Sequence, residues 1–202
     1  EAGNDRIYGE DGNDQLVGQD GANGIYGGTG NDSLWGEAGR DTLYGEDGSD
    51  YLYGGLGQDT LDGGAGQDFL FSDLGDPGDL LRGGADDDYA YVNRSTAVTA
   101  FNFALLASFS LGDGPCLQSI ERMYFLSGAG NDSVTGGGLD DVFDGGGGAD
   151  RLRGLAGQDI LIGGAGNDTL AGGAGQDALE GGAGADVFEF TTAPVLDEID
   201  SI

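Results

Sequence analysis

The chain has 202 residues, a length that suits one domain or two small ones, and glycine fills 45 of its positions. Its 37 acidic residues against 7 basic ones leave a formal charge of −30, which excludes nucleic acid and an anionic membrane surface as partners, because binding phosphate needs a basic footprint. With no histidine and 1 cysteine, Ser–His and Cys–His catalysis, most catalytic zinc sites and an internal disulfide are excluded as well.

The glycines keep no every-third-residue period, so a collagen helix is excluded. Apolar residues make up 38%, a modest share for filling a conventional core, and no apolar run reaches the length of a membrane span. Such acidity has two explanations. The chain is an acidic disordered segment, or its carboxylates are half of an ionic structure and cations supply the rest. Glu1 falls inside a repeat, so further chain, and any signal peptide, is expected to precede it.

The first predicted element is a block of nonapeptides over residues 1–91. Gly27-Gly28-Thr29-Gly30-Asn31-Asp32-Ser33-Leu34-Trp35 is one unit and Gly54-Gly55-Leu56-Gly57-Gln58-Asp59-Thr60-Leu61-Asp62 another. The pattern is G-G-x-G-x-D-x-U-x, with U a large apolar residue, and 10 such units fit this block. The aspartate column is Asp5, Asp14, Asp32, Asp41, Asp50, Asp59, Asp68, Asp79 and Asp88, broken by Asn23. The apolar column is Ile7, Leu16, Ile25, Leu34, Leu43, Leu52, Leu61, Leu70, Leu81 and Ala90. Asn23 should weaken the sites it shares with Asp5 and Asp41. The unit from Ser72 to Arg82 carries two extra residues around Asp76-Pro77-Gly78. Asp86 takes the place of a third glycine, and Glu10, Gln19, Glu37 and Glu46 take the place of second glycines, which read as surface positions.

Residues 92–126 hold no repeat. This stretch is more apolar than its surroundings and includes Val98-Thr99-Ala100-Phe101-Asn102-Phe103-Ala104-Leu105-Leu106. It reads as β-strands or a strand-and-loop flap that caps the flanking blocks, with a ligand-binding insert as the alternative, and with Ser119–Phe125 as a strand feeding back into them. Cys116 has no neighbouring base or second thiol and reads as a buried or idle thiol.

The second block covers residues 127–189 with 7 units, among them Gly163-Gly164-Ala165-Gly166-Asn167-Asp168-Thr169-Leu170-Ala171. Its aspartates are Asp132, Asp141, Asp150, Asp159, Asp168, Asp177 and Asp186, and its apolar column is Val134, Phe143, Leu152, Leu161, Leu170, Leu179 and Phe188. Leu155 stands at a second glycine and reads, like the four of the first block, as a surface position. Leu139 stands at a third, where leucine resists positive φ, so that turn should be distorted or poor in metal. Residues 190–202 read as a capping strand, with Phe190 closing the core and Asp197-Glu198-Ile199-Asp200 as the strand.

Glycine accepts positive φ cheaply, so the first six positions of each unit read as a tight turn. The x-U-x that follows allows only a short strand, with U on one face and its neighbours on the other. One unit buries almost nothing alone, so units must stack.

These residues resemble the hemolysin-type calcium-binding nonapeptides of the RTX (repeats-in-toxin) family. The resemblance implies an all-β fold: a right-handed parallel β-roll, or solenoid, interrupted here by a non-repeat β insert. In it two units make a turn and units two apart stack. It also implies calcium between stacked turns, held by the motif aspartates and by turn carbonyls such as those of Gly28, Gly30, Gly55, Gly57, Gly164 and Gly166. On that rule Asp32 pairs with Asp50, and Asp150 with Asp168. Pairing each unit with the one two places on allows up to about thirteen calcium ions, enough to nearly cancel the charge. The family implies a secreted bacterial protein, extracellular or on the cell surface, that leaves by type I secretion and folds on meeting calcium.

The outward positions differ between the two sheets of the first block. One carries an aromatic stripe of Trp35, Tyr51, Tyr53, Phe69, Phe71, Tyr89 and Tyr91, a patch that marks a contact with the insert, another protein or another copy. That stripe leaves a second reading open, a calcium-dependent self-assembling surface-layer, adhesin or fibre module. Catalysis is not expected from these residues, because aspartates recurring in every unit fit rows of metal rather than one active site. A catalytic domain elsewhere in a parent chain stays open. Asp86-Asp87-Asp88 reads as an acidic surface turn.

Overall fold

The computed structural model describes residues 2–72, 79–95, 102–104 and 116–190. Among them every regular element is a β-strand, every described strand pairing is parallel, and there is no helix long and apolar enough to cross a membrane. The turn at Asp76-Pro77-Gly78, most of Val98–Leu106 and the capping strand at Asp197–Asp200 lie outside the described residues.

Successive units alternate between two sheets, because a parallel pair needs a crossover and the next nonapeptide supplies it. In the first compact unit, strands Arg6–Asp11, Gly24–Thr29, Thr42–Asp47, Thr60–Ala65, Leu80–Ala85 and Cys116–Gln118 form one sheet in that order. Gln15–Asp20, Ser33–Ala38, Tyr51–Leu56, Phe69–Ser72 and Tyr89–Asn93 form the other. The register is a full two-unit turn: Ile25 lies beside Leu43, and Leu43 beside Leu61. The longer Ser72 unit is absorbed without a slip, since Leu61 still meets Leu81 and Asp59 N–H still reaches Asp79.

The second compact unit repeats the plan. Arg122–Leu126, Val142–Asp144, Ile160–Ala165 and Ala178–Ala183 make one sheet, and Asn102–Ala104, Ser133–Thr135, Arg151–Ala156, Thr169–Ala174 and Val187–Phe188 the other. The stretch without repeats thus contributes strands to both units: Cys116–Gln118 pairs with Leu80–Ala85 in the first, while Asn102–Ala104 pairs with Ser133–Thr135 and Arg122–Leu126 with Val142–Asp144 in the second.

The apolar column is the core. Ile25, Leu34, Leu43, Leu52, Leu61, Leu70, Leu81 and Ala90 are buried in the first unit. Met123, Phe125, Val134, Phe143, Leu152, Leu161, Leu170 and Leu179 are buried in the second. Ile7, Leu16 and Phe188, at the ends, are only half-buried. Each aliphatic side chain so buried contributes about 1.5–3 kcal/mol.

The strands are longer than x-U-x. Gly24–Thr29 runs on through the first three positions of the next unit, pairing Gly28 with Glu46 and Thr29 with Asp47. The turn therefore shrinks to positions four to six, because the stacked copies of positions two and three can join the ladder. Alternation then carries the first glycine of each unit inward beside the apolar residue, as with Ile25 and Gly27. The second position bends with positive φ, and the chain holds it there without glycine at Glu10, Gln19, Glu37, Glu46 and Leu155. The four polar residues are exposed, as their side chains require, whereas Leu155 is half-buried.

Candidate metal centre

The motif aspartate ends the turn and points back into it. Asp32, Asp41, Asp50, Asp59, Asp68, Asp79, Asp88, Asp132, Asp141, Asp150, Asp159, Asp168 and Asp177 are all buried. Asp14 and Asp186 are half-buried and Asp5 is exposed, each being near an end of the stack.

The two carboxylate oxygens have separate fates. Oδ1 joins a ladder along each edge, accepting the backbone N–H of the motif residue one turn earlier. Asp14 N–H donates to Asp32 at 2.8 Å, Asp32 to Asp50 at 2.8 Å and Asp50 to Asp68 at 2.9 Å. In the second unit Asp132 N–H donates to Asp150 at 2.7 Å, Asp150 to Asp168 at 2.8 Å and Asp168 to Asp186 at 3.0 Å. The other edges carry the same bond from Asp41 to Asp59 and from Asp141 to Asp159, each at 2.8 Å.

Oδ2 is different. In Asp14, Asp32, Asp41, Asp50, Asp68, Asp150 and Asp168 it is buried and accepts no hydrogen bond. Leaving a buried charged acceptor unmet costs more than the 1–3 kcal/mol of a neutral group. The space it faces is bounded by more oxygen. A Cβ added to Gly27 would lie 2.4 Å from Asp32 Oδ2 and 2.7 Å from the Gly45 carbonyl oxygen. At Gly45 the corresponding distances are 2.3 Å to Asp50 Oδ2 and 2.5 Å to the Gly63 oxygen, and at Gly163 they are 2.6 Å each to Asp168 Oδ2 and the Gly181 oxygen. A carboxylate oxygen and a carbonyl from the next turn thus converge on a cradle that exists only because the first residue is glycine. The six glycines named from the resemblance, Gly28, Gly30, Gly55, Gly57, Gly164 and Gly166, all have positive φ and shape the same turns. The inward first-position carbonyls of Gly45, Gly63 and Gly181 had no signal of their own, since every unit of the pattern begins alike.

Burial pushes these acids up. Asp68, Asp150 and Asp159 rise to about 7 and Asp50 to about 6, chiefly by desolvation and further by the motif aspartates one turn away. Asp41 and Asp168 are raised for the same first reason. Such a carboxylate column wants positive charge. Among the described residues no three acidic or cysteine side chains gather into one cluster, so a cation here would take a carboxylate oxygen and backbone carbonyls. That all-oxygen donor set fits a hard divalent ion.

Four turns differ. Asn23 accepts the Asp5 N–H through Oδ1 at 3.0 Å, as an aspartate would, but its Nδ2 donates to the Gln19 carbonyl at 3.3 Å. In the Leu139 turn, Leu139 avoids positive φ and the Gly137 N–H reaches Asp141 Oδ2 at 2.8 Å. Ser72 Oγ donates to Asp79 Oδ2 at 2.8 Å, and Ser127 Oγ donates to Asp132 Oδ2.

The aromatic stripe lies on one sheet of the first unit. Phe69 stacks on Tyr89 with centroids 4.5 Å apart, Phe71 on Tyr91 at 5.1 Å, and Tyr51 tilts against Phe71 at 4.7 Å and against Trp35 at 6.2 Å. Tyr51 and Phe69 are exposed, while Trp35, Tyr53, Phe71, Tyr89 and Tyr91 are half-buried. The opposite sheet has its own column, Tyr8 on Tyr26 at 4.9 Å and Tyr26 on Tyr44 at 5.1 Å.

The model of the RTX calcium-binding nonapeptide repeat matches the chain over residues 1–25, 17–52, 26–61, 44–77, 126–161 and 153–188. No curated protein matches it significantly.

Proposed function

The chain belongs to the RTX calcium-binding nonapeptide repeat family, and on that premise we propose that it is a module which folds outside the cell, around calcium held in its glycine turns. Calcium is the ion of these repeats, and the chain is a calcium-binding β-roll. The ligands are the motif aspartates, led by Asp14, Asp32, Asp41, Asp50, Asp68, Asp150 and Asp168, with carbonyls of the turns on either side. The observation that carries this reading is the row of buried Oδ2 atoms with no donor. A bound cation neutralises what would otherwise be stacked like charges. An ion that binds only the folded state stabilises it with the logarithm of its concentration. At low calcium the acidic chain is expanded, a form suited to type I secretion from a bacterium, and at millimolar extracellular calcium it closes.

Far-ultraviolet circular dichroism during a calcium titration, with magnesium as control, tests this. A cooperative gain of β signal with calcium alone is expected. An unchanged β spectrum in chelator would reduce calcium to a secondary ligand.

A second reading, self-assembly into a surface layer, adhesin or fibre, draws support from the exposed rings of Tyr51 and Phe69. Calcium-dependent oligomers in light scattering would favour it, and a monomer at high concentration would count against it.

A further inference from the structure

The first position of the unit is glycine throughout both blocks except at Ser72 and Ser127. Glycine there is a steric demand: a Cβ at Gly36, Gly63, Gly145 or Gly172 would come within 2.1–2.6 Å of the carboxylate oxygen of its own unit. The two serines break the demand, and their hydroxyls donate to that oxygen, in Asp79 and Asp132 respectively. Both are deeply buried, at 3% and 6% exposure. Where a glycine unit leaves the oxygen facing an open cradle, a serine unit fills the cradle and supplies the missing positive end.

We propose that Ser127 is an internal plug that takes the place of calcium in its turn, and that Ser72 repeats the device in the first unit. The proposal rests on the calcium reading of the glycine-closed turns and names which turns stand outside it. A calcium ion needs the lone pairs of Oδ2 and room for six to eight oxygens. In the Ser127 turn a hydroxyl proton points at that lone pair, and the Cβ and Oγ stand where the ion would sit. Asn23 makes the same substitution with different chemistry, its amide N–H meeting a turn carbonyl. The Ser127 turn therefore keeps its shape without metal, and the bound calcium falls short of the ceiling of about thirteen set by stacking alone.

Calcium bound per chain, measured by equilibrium dialysis at saturation, tests the assignment. Ser127→Gly removes the plug and is expected to add about one ion. Ser127→Ala removes the donor but leaves a Cβ in the cradle, and is expected to add none. Gly163→Ser introduces a plug beside Asp168 and is expected to lose about one ion, which keeps the test open should Ser127→Gly fail to fold. A wild-type chain that binds calcium, with Ser127→Gly or Gly163→Ser matching its count, overturns the plug alone. A wild-type chain that binds no calcium overturns the calcium reading beneath it.

Discussion

Asp32 and Leu34 lie two residues apart in one unit, and both are buried. Leu34 meets other aliphatic side chains above and below and needs nothing more. Asp32 has one oxygen in a backbone ladder and the other facing only oxygen. The core column is thus complete within the chain, while on the proposed calcium reading the turn column is completed by a cation. Stability drawn from the first is always present, and stability drawn from the second depends on calcium, proton and salt concentration.

Variants on the two columns should separate these contributions. The largest effect is expected in the core. Leu161→Ala leaves a cavity between Phe143 and Leu179 and should cost about 2–5 kcal/mol, to the same extent at every calcium concentration that supports folding, as read by thermal melts. A turn variant should respond differently. Asp50→Asn supplies an amide N–H as Asn23 does, so the calcium-free chain should gain about 1–3 kcal/mol from a satisfied buried group. The calcium-loaded chain should lose affinity and about one ion. Equal destabilisation with and without calcium would place Asp50 on the core side of the comparison.

Protons should sharpen the same contrast. The folded-state values of Asp50, Asp68, Asp150 and Asp159 lie above the ordinary aspartate value of 3.8. The metal-free fold therefore binds more protons than the unfolded chain, and its stability falls as pH rises from about 4 to about 7. Calcium requires the ionised carboxylates, so the calcium midpoint should move the other way, to higher concentration, as pH drops through 7 to 5.5. Circular dichroism in chelator, where acid should restore β signal as the carboxylates protonate, and calcium titrations across that range give the two signs. Identical pH trends with and without calcium would contradict the assignment of these aspartates to metal.

The smallest effect belongs to the surface. Glu189 pairs with Arg151 at 3.1 Å and with Arg153 at 3.7 Å, with both sides of the pairs partly exposed. Glu189→Gln should change stability by about 0.2–1 kcal/mol, without altering the calcium midpoint.

Much of this was legible in the sequence because a period of nine repeats both columns many times. Asp32 and Leu34 recur as Asp50 and Leu52, then Asp68 and Leu70, so stacking by two units follows from the pattern. What stayed hidden depended on positions that carry no side chain. Six-residue strands were not apparent, since the ladder beyond x-U-x runs through Gly27, Gly28 and Thr29, which read as turn. The inward role of the first glycine emerged only when its missing Cβ was seen to make room for Asp32 Oδ2 and the Gly45 carbonyl. Ser72 and Ser127 carry no signal of their own in the sequence, since a serine at the first position does not announce the carboxylate its hydroxyl meets. The strands Cys116–Gln118 and Arg122–Leu126 lie where no repeat gives a register, so their partners could not be read in advance.

The central claim is that the second oxygen of the motif aspartates in glycine-closed turns, such as Asp32, Asp50, Asp150 and Asp168, holds calcium. A crystal structure grown in calcium, with an anomalous difference map, tests it most directly. The account predicts peaks beside Oδ2 of Asp32, Asp50, Asp150 and Asp168, facing the first-position glycines, and none in the turns of Ser127 and Asn23. Peaks confined to the exposed face of the turns, with those Oδ2 atoms bonded only to water or protein, would contradict it.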